Sequence, residues 1–391
     1  MKFTLPLLLV LLLPIYANAK SEAKINPQSM PAENQLQPFR LSAEAYLLYD
    51  LTSKQVLLEQ NSHARIEPAS LTKLMTAYIA FSALKQNKIT INEMVTPSTQ
   101  AIRSQPADAK MFLDHKKPVS IDNLLHGLII VSANDAARVL AERIAKSEED
   151  FAALMNQEAQ RLGMLDTHFT NASGLPDPLH YSSAHDMSLL TVAIINDFPE
   201  YYPLYSQREY EYNHIRHFNR NRLLWLDPYV DGMKTGHTES AGYSLIATAK
   251  RKNHRLISVI MGAATDQLRS TESQRLLNYG FQNFELFNFY KENETIRDIR
   301  LWKGTERSVK AGMRDKLIVT IPKGQRNALV ATIETEQPLL APISKGQQVG
   351  ILKLTFDGKP FRELPLVALE SIPLVNIFSR GIDSIRMIFS R

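Results

Sequence analysis

Cysteine is absent from the 391 residues. Disulfides, cysteine-ligated zinc and thiol nucleophiles are therefore excluded, although the compartment stays open. The ten histidines form no H-E-x-x-H arrangement, so the sequence implies no metal and no cofactor. Internal repeats and low-complexity runs are missing too. The net charge is only +5 and the basic residues are dispersed, which argues against nucleic acid as a partner. A diffuse positive balance still suits an anionic surface such as a membrane or a wall polymer. The N-terminal apolar run, Leu5 to Ile15, stops well short of the ~20 residues of a membrane-spanning helix.

That short run has a different reading. It follows Met1-Lys2 and precedes Ala17-Asn18-Ala19, a small-x-small cleavage site. Residues 1–19 are expected to be a secretory signal peptide. Residues 20–40, with Pro27, Pro31 and Pro38, read as a loose leader. The whole sequence is 44% hydrophobic and 22% charged, enough for a packed core and two or three domains.

Ala45 to Asp50 and Gln55 to Glu59 read as a hairpin. A helix is expected to open at Pro68, since a missing N–H costs nothing at the first helical position. Helical patterns follow over 121–131, 135–146, 151–163 and from Ser183 to Asn196. Asn171 to Pro178 is turn chemistry. Three strands come next, near Gly232 to Thr238, Tyr243 to Ala249 and Leu256 to Gly262, then a helix over Ser270 to Phe281. Residues 200–222 are rich in Tyr, Arg and Asn and yield no element. The economical fold for 41–290 is α+β, a helical cluster against one antiparallel sheet. Residues 291–370 alternate over short segments (Lys316 to Ile321, Leu329 to Glu334, Gln348 to Phe356, Leu366 to Glu370) and suggest a small all-β domain. In 371–391, Leu374, Phe378, Ile382, Ile385 and Phe389 recur at helical spacing. This amphipathic helix suits a membrane interface, or alternatively the protein's own surface.

Chemistry is suggested by three short motifs. Ser70-Leu71-Thr72-Lys73 sets a hydroxyl and an amine one helical turn apart. An amine kept neutral by burial and a neighbouring cation can take a serine proton. The S-x-x-K pattern occurs three times, also at Ser21 and Ser82, so spacing alone does not select Ser70. Ser132-Ala133-Asn134 is the single S-x-N; with Asp135 it equally forms a helix capping box. Lys234-Thr235-Gly236 occurs once, and equally reads as a strand with a glycine bulge. Read functionally, Lys234 would place a cation by the serine, Thr235 would offer a hydroxyl, and Gly236 would let a substrate backbone lie against the strand. The three motifs in this order match a known serine acyl-transfer template of penicillin-binding proteins and class A β-lactamases.

The chain resembles the low-molecular-weight penicillin-binding proteins, the periplasmic serine-type D-alanyl-D-alanine carboxypeptidases (peptidase S11-like). The likeness extends over Glu67 to Lys73, Asp231 to Thr238, Arg269 to Phe281, Thr320 to Gly324, Asp357 to Lys359 and Pro365 to Val367. It implies a β-lactamase/transpeptidase-like domain, then a small β domain and a terminal membrane-anchoring helix, a layout that a β-lactamase lacks. It implies Ser70 as nucleophile, Lys73 as general base and Ser132 as proton relay to the leaving D-alanine, with Lys234 tuning the pair. Asn134 is implied to hold the substrate backbone, and Thr235 and Arg269 the terminal carboxylate. The backbone N–H groups of Ser70 and His237 are implied to form the oxyanion hole, and Gly236 to border the substrate. The implied partners are peptidoglycan stem peptides, β-lactams that acylate Ser70, and the periplasmic face of the bacterial inner membrane. One departure stands out. The family usually has Ser-Gly-Asn at the middle motif, and Ala133 could narrow backbone freedom there. Endopeptidase and β-lactamase activities are enzymatic alternatives, although no glutamate is assignable as a class A deacylating base. The non-enzymatic alternative is an inactive, membrane-anchored wall-binding protein.

Overall fold

The computed structural model describes residues 39–103, 108–335 and 337–389. The expected signal peptide and nearly all of the expected leader lie outside them. Among the described residues, 39–289 with 317–324 form one compact unit, and 290–316 with 325–389 a second.

The first unit is built on a five-stranded antiparallel sheet. Its strands are β1 (Ala45–Asp50), β2 (Gln55–Gln60), β5 (Val230–Thr238), β6 (Gly242–Arg251) and β7 (His254–Ala263), in the order β2-β1-β7-β6-β5. Leu47 pairs with Val259 where the two ends of the segment meet. Successive side chains of a strand point to opposite faces. Accordingly Ala45, Leu47, Ile257, Val259 and Met261 enter one core, and Tyr46, Leu48, Leu256 and Ile260 another. The first core is filled by helices α1 (Lys73–Lys85), α2 (Ile121–His126), α3 (Asn134–Ala145), α4 (Glu148–Arg161) and α5 (Ala184–Asp197). The second receives Leu276 and Leu277 of α6 (Asp266–Asn283) together with Leu223 and Leu224. The sheet is thus covered on both faces, which is why β6 and β7 read as near-continuous apolar runs.

Local details depart from the sequence reading. The α-helix expected at Pro68 starts at Lys73; Ala69–Thr72 is a 3₁₀ turn, and Ala69 takes φ 48°. The apolar stretch 121–131 is not one helix. It passes from α2 into a π-helical turn, Gly127–Val131, that ends at Ser132 in the left-handed region (φ 63°). Residues 209–218, unread in the sequence, form a hairpin of β3 (Glu209–Tyr212) and β4 (Ile215–Phe218), turned by Asn213 and His214 at positive φ. Strand β11 (Leu317–Pro322), expected in the small β domain, belongs to the first unit. It pairs with β8 (Phe284–Tyr290), and Thr320 Oγ1 donates to the buried Asp50 carboxylate at 2.5 Å.

In the second unit six strands form one sheet. These are β9 (Thr295–Trp302), β10 (Ser308–Gly312), β12 (Leu329–Glu334), β13 (Leu339–Leu340), β14 (Gln348–Phe356) and β15 (Lys359–Ala368), in the order β12-β14-β15-β10-β9-β13. Ile299, Val309, Leu366 and Ile372 fill its core. Helix α7 (Ile377–Phe389) follows, with Ile377 and Ile382 exposed. Among the described residues no helix is long and apolar enough to cross a membrane.

One close approach fixes the site within the first unit. A Cβ on Gly236 of β5 would lie 2.8 Å from Pro68 O and 3.2 Å from Leu71 Cγ. The strand backbone therefore packs directly on the turn that carries Ser70. Gly236→Ala is expected to cost about 1–3 kcal/mol by overpacking, read as a lowered midpoint in chemical denaturation. An unchanged midpoint would mean that the turn and the strand are not held together there.

Candidate active site

The 3₁₀ turn explains why Ser70 and Lys73 meet. At three residues per turn, side chains at i and i+3 eclipse one another, and Lys73 Nζ lies 3.0 Å from Ser70 Oγ. Lys73 is 1% exposed. Its amine also reaches Asn134 Oδ1 at 2.7 Å and the Ser173 carbonyl at 2.6 Å. Burial, helped by the positive charges of Arg220 and Arg138, lowers its pKa to about 7. Asp108 and Asp135 pull the other way but do not prevail. A neutral amine has two N–H groups and one lone pair. With its hydrogens on Asn134 and Ser173, the lone pair is left for the Ser70 hydroxyl.

Ser132 and Lys234 form the second pair. Lys234 Nζ donates to Ser132 Oγ at 2.8 Å and to Thr235 O at 2.9 Å. Burial holds this amine well below the ordinary lysine range, with added repulsion from Lys73, Arg220 and Arg269. The capping-box alternative for Ser132 and Asp135 fails. Ala133 occupies the N-cap position of α3 without a side-chain cap, and the Asp135 carboxylate accepts from the N–H groups of Met111, Leu113 and Ala136. Ala133 itself sits at φ −68°, ψ 124°, an ordinary extended conformation, so alanine narrows nothing there. The strained residue is Ser132.

Ser70, Ser132, Asn134, Thr235, Gly236, His237 and Arg269 all line one cavity of about 340 Å³. Lys73 and Lys234 are joined to it through the two serines. Three expectations change in detail. Gly236 is in register with Ser244 rather than in a bulge, and its missing side chain admits the Ser70 turn. The Oδ1 of Asn134 is occupied by Lys73. The Arg269 guanidinium is also committed: it donates to Gly236 O at 2.8 Å, bonds the Asp266 carboxylate and lies over the Tyr243 ring. Tyr243 in turn stacks on His237 with centroids 3.8 Å apart.

Sequence reasoning missed Arg220. It lines the same cavity and lowers both lysine pKa values. Among the described residues its guanidinium has no hydrogen bond or salt bridge, so it is the available cation. It stands in the unread segment, where only its charge offered a signal. The loop Asn171–Gly174 was also missed as part of the site. Asn171 Oδ1 gathers the N–H groups of Ser173, Gly174 and Leu175 in an Asx-type turn, aiming Ser173 O at Lys73. Gly174 has φ 81°, and a Cβ there would lie 1.8 Å from Ala69 O.

His180 underlies the same turn. Its Nε2 lies 2.7 Å from Thr72 Oγ1, and its Nδ1 accepts from Thr170 N at 3.0 Å. Burial pushes its pKa down to about 4, so the ring is neutral and Nε2 donates. Because the folded pKa lies below the unfolded ~6.5, the unfolded chain binds more protons between those values. Stability is therefore lost as pH falls from ~6.5 towards ~4, by about 3 kcal/mol at the limit. Urea midpoints at pH ~7 and ~4 should separate more for the native chain than for His180→Gln; equal separations would contradict this.

Comparison with known proteins agrees with the geometry. A family model for D-alanyl-D-alanine carboxypeptidases (peptidase S11) matches residues 31–265, and one for the penicillin-binding protein 5 C-terminal domain matches 284–374. The chain is 41% identical to D-alanyl-D-alanine carboxypeptidase DacC of Escherichia coli (strain K12), over 93% of its own length and 92% of that protein. It is 42% identical to DacA of Haemophilus influenzae, over 88% of each. The crystal structure of Haemophilus influenzae penicillin-binding protein 5 superposes with a TM-score of 0.82 at 42% identity, covering 87% of this chain and all of that one. Listeria monocytogenes penicillin-binding protein D2 in its cefotaxime-bound form does so at 0.58 and 32%, covering 63% of this chain and 100% of its own.

Fold, site and relatives define a serine hydrolase of the penicillin-binding type. The chain belongs to the peptidase S11 family and is a D-alanyl-D-alanine carboxypeptidase. The endopeptidase, β-lactamase and non-enzymatic alternatives are not favoured by these matches.

Proposed function

We propose that Ser70 carries out this activity with Lys73 as its base. The observation that supports the assignment is the trio of neighbours around the Lys73 amine, two acceptors and one hydroxyl. The Ser70 proton passes to Lys73 as Oγ attacks the carbonyl carbon of the penultimate D-alanine. The oxyanion is held by the backbone N–H groups of Ser70 and His237, a donor type worth about 2.7–4 kcal/mol each. The C–N bond then breaks, and Ser132, hydrogen-bonded to Lys234, relays a proton to the departing amine. Water cleaves the ester, restoring Ser70. Asn134 offers its amide N–H₂ to the substrate backbone. Thr235 and Arg220 meet the terminal carboxylate, while Arg269 braces β5 beside them.

The substrate is the pentapeptide stem of peptidoglycan. β-Lactams, which imitate its D-Ala-D-Ala end, acylate Ser70, a reading supported by the cefotaxime-bound Listeria relative. The enzyme acts on the periplasmic side of the inner membrane. That location is supported by the signal-like residues 1–19 and by the apolar residues exposed on α7.

D-Alanine release from a peptide ending in D-Ala-D-Ala should fall by at least about a thousandfold in Ser70→Ala; comparable release would refute the nucleophile assignment. Because the base must be neutral, kcat/KM should rise with pH through about 7. Arg220→Gln removes a cation that depresses the Lys73 pKa, and should shift this limb to higher pH. An unmoved limb would exclude Arg220 from the tuning. Deleting residues 372–391 should release the protein from membranes and spare activity on soluble peptides; retained association would refute the anchor.

A further inference from the structure

A second cavity, of about 330 Å³, lies within the second unit where α7 meets the end of β9. It is lined by Arg300, Arg307 and Arg386. Among the described residues none of the three guanidinium groups makes a salt bridge or a hydrogen bond. The Arg300 guanidinium carbon lies over the buried Trp302 ring, 3.9 Å from its centroid. Stacking uses the face of a guanidinium and leaves its N–H edge for an oxyanion. The cavity's two carboxylates offset this set only in part: three guanidinium groups less two carboxylates leave a net charge of +1. Asp383 accepts the Lys303 N–H at 3.0 Å, and Glu306 is exposed to water. The Asp383 contact, with the Val375 N–H donating to Lys303 O at 2.9 Å, ties α7 to the sheet, so Arg386 is brought to the other two arginines. Leu374, Ile377 and Ile382 stand exposed beside the cavity.

From this juxtaposition we propose that the cavity binds the phosphodiester headgroup of an anionic membrane lipid, with its acyl chains along the exposed aliphatic side chains of α7. Three unpaired guanidinium groups match a phosphate. The adjoining apolar surface favours a lipid over a free anion. The proposal rests on the membrane-anchoring reading of α7 and gives that reading a chemical selectivity.

The test uses the full chain carrying Trp225→Phe, which leaves Trp302 as the single tryptophan. It also uses vesicles of phosphatidylcholine, with or without one third phosphatidylglycerol. Trp302 emission should shift with the anionic vesicles and not with the neutral ones. Co-sedimentation with anionic vesicles should fall by about tenfold or more in Arg300→Gln/Arg307→Gln/Arg386→Gln, with D-alanine release intact as proof of folding. The control Lys316→Gln/Lys345→Gln/Lys359→Gln removes the same charge elsewhere and should change binding by less than about twofold. Equal losses in both variants would mean diffuse attraction and overturn the site. An equal Trp302 shift with inorganic phosphate alone would overturn the lipid assignment. If the chain lacking residues 372–391 still binds both vesicles, the anchor reading itself fails. If that truncation releases the protein but the arginine variant binds normally, only the headgroup site fails.

Discussion

Everything in the catalytic unit converges on one buried amine. A lysine taken out of water is costly unless it loses its charge or finds partners; burial lowers the Lys73 pKa to about 7, and three groups surround its amine. Its two acceptors come from different parts of the chain: Asn134 from the first turn of α3, and Ser173 from an Asx-stabilised loop before α5. The 3₁₀ turn brings the third neighbour, Ser70. Displacing any one of these segments would leave the buried amine short of one of its three neighbours. The requirement that the lysine be satisfied therefore also aligns the helices around it.

Much of this was legible in the sequence because the motifs carry their own geometry. Ser70 and Lys73, Ser132 and Asn134, and Lys234 with Thr235 are named from order and spacing; the structure places Ser70, Ser132, Asn134 and Thr235 on one cavity, with the two lysines bonded to its serines. The strands of the main sheet were readable because apolar runs bounded by turn residues leave few alternatives. What was not legible depended on contacts between distant segments. Arg220 sits among polar residues with no periodicity, and only its approach to two lysines distinguishes it. The hairpin β3–β4 turns on Asn213-His214, and histidine is not a usual turn signal. Ser173 acts through its carbonyl oxygen, which its side-chain identity does not reveal. β11 looked like its neighbours in sequence, yet Thr320 is bound to Asp50, 270 residues away.

The handling of backbone strain shows a division of labour. Ser132 (φ 63°) and Ala69 (φ 48°) are non-glycine residues in the left-handed region, each a local cost. Ala69 precedes Ser70, and Ser132 is itself one of the two serines lining the cavity. The π-helical turn before Ser132 supplies the change of path that a regular helix would not. Gly174 and Gly236, by contrast, spend no strain of their own; they make room. Strain is thus held beside or at the cavity serines, and the positions that admit a neighbour are bare.

Arg269 gives the cleft a mechanical character. It belongs to α6, packed on the face of the sheet opposite the catalytic helices, yet its guanidinium grips the carbonyl of Gly236 on the cleft-lining strand. The wall of the cleft is therefore anchored in both cores at once. Any outward movement of that strand would have to break the Arg269 hydrogen bond that ties it to the helix on the far side of the sheet. The cleft-lining strand is in this sense stapled through the thickness of the sheet.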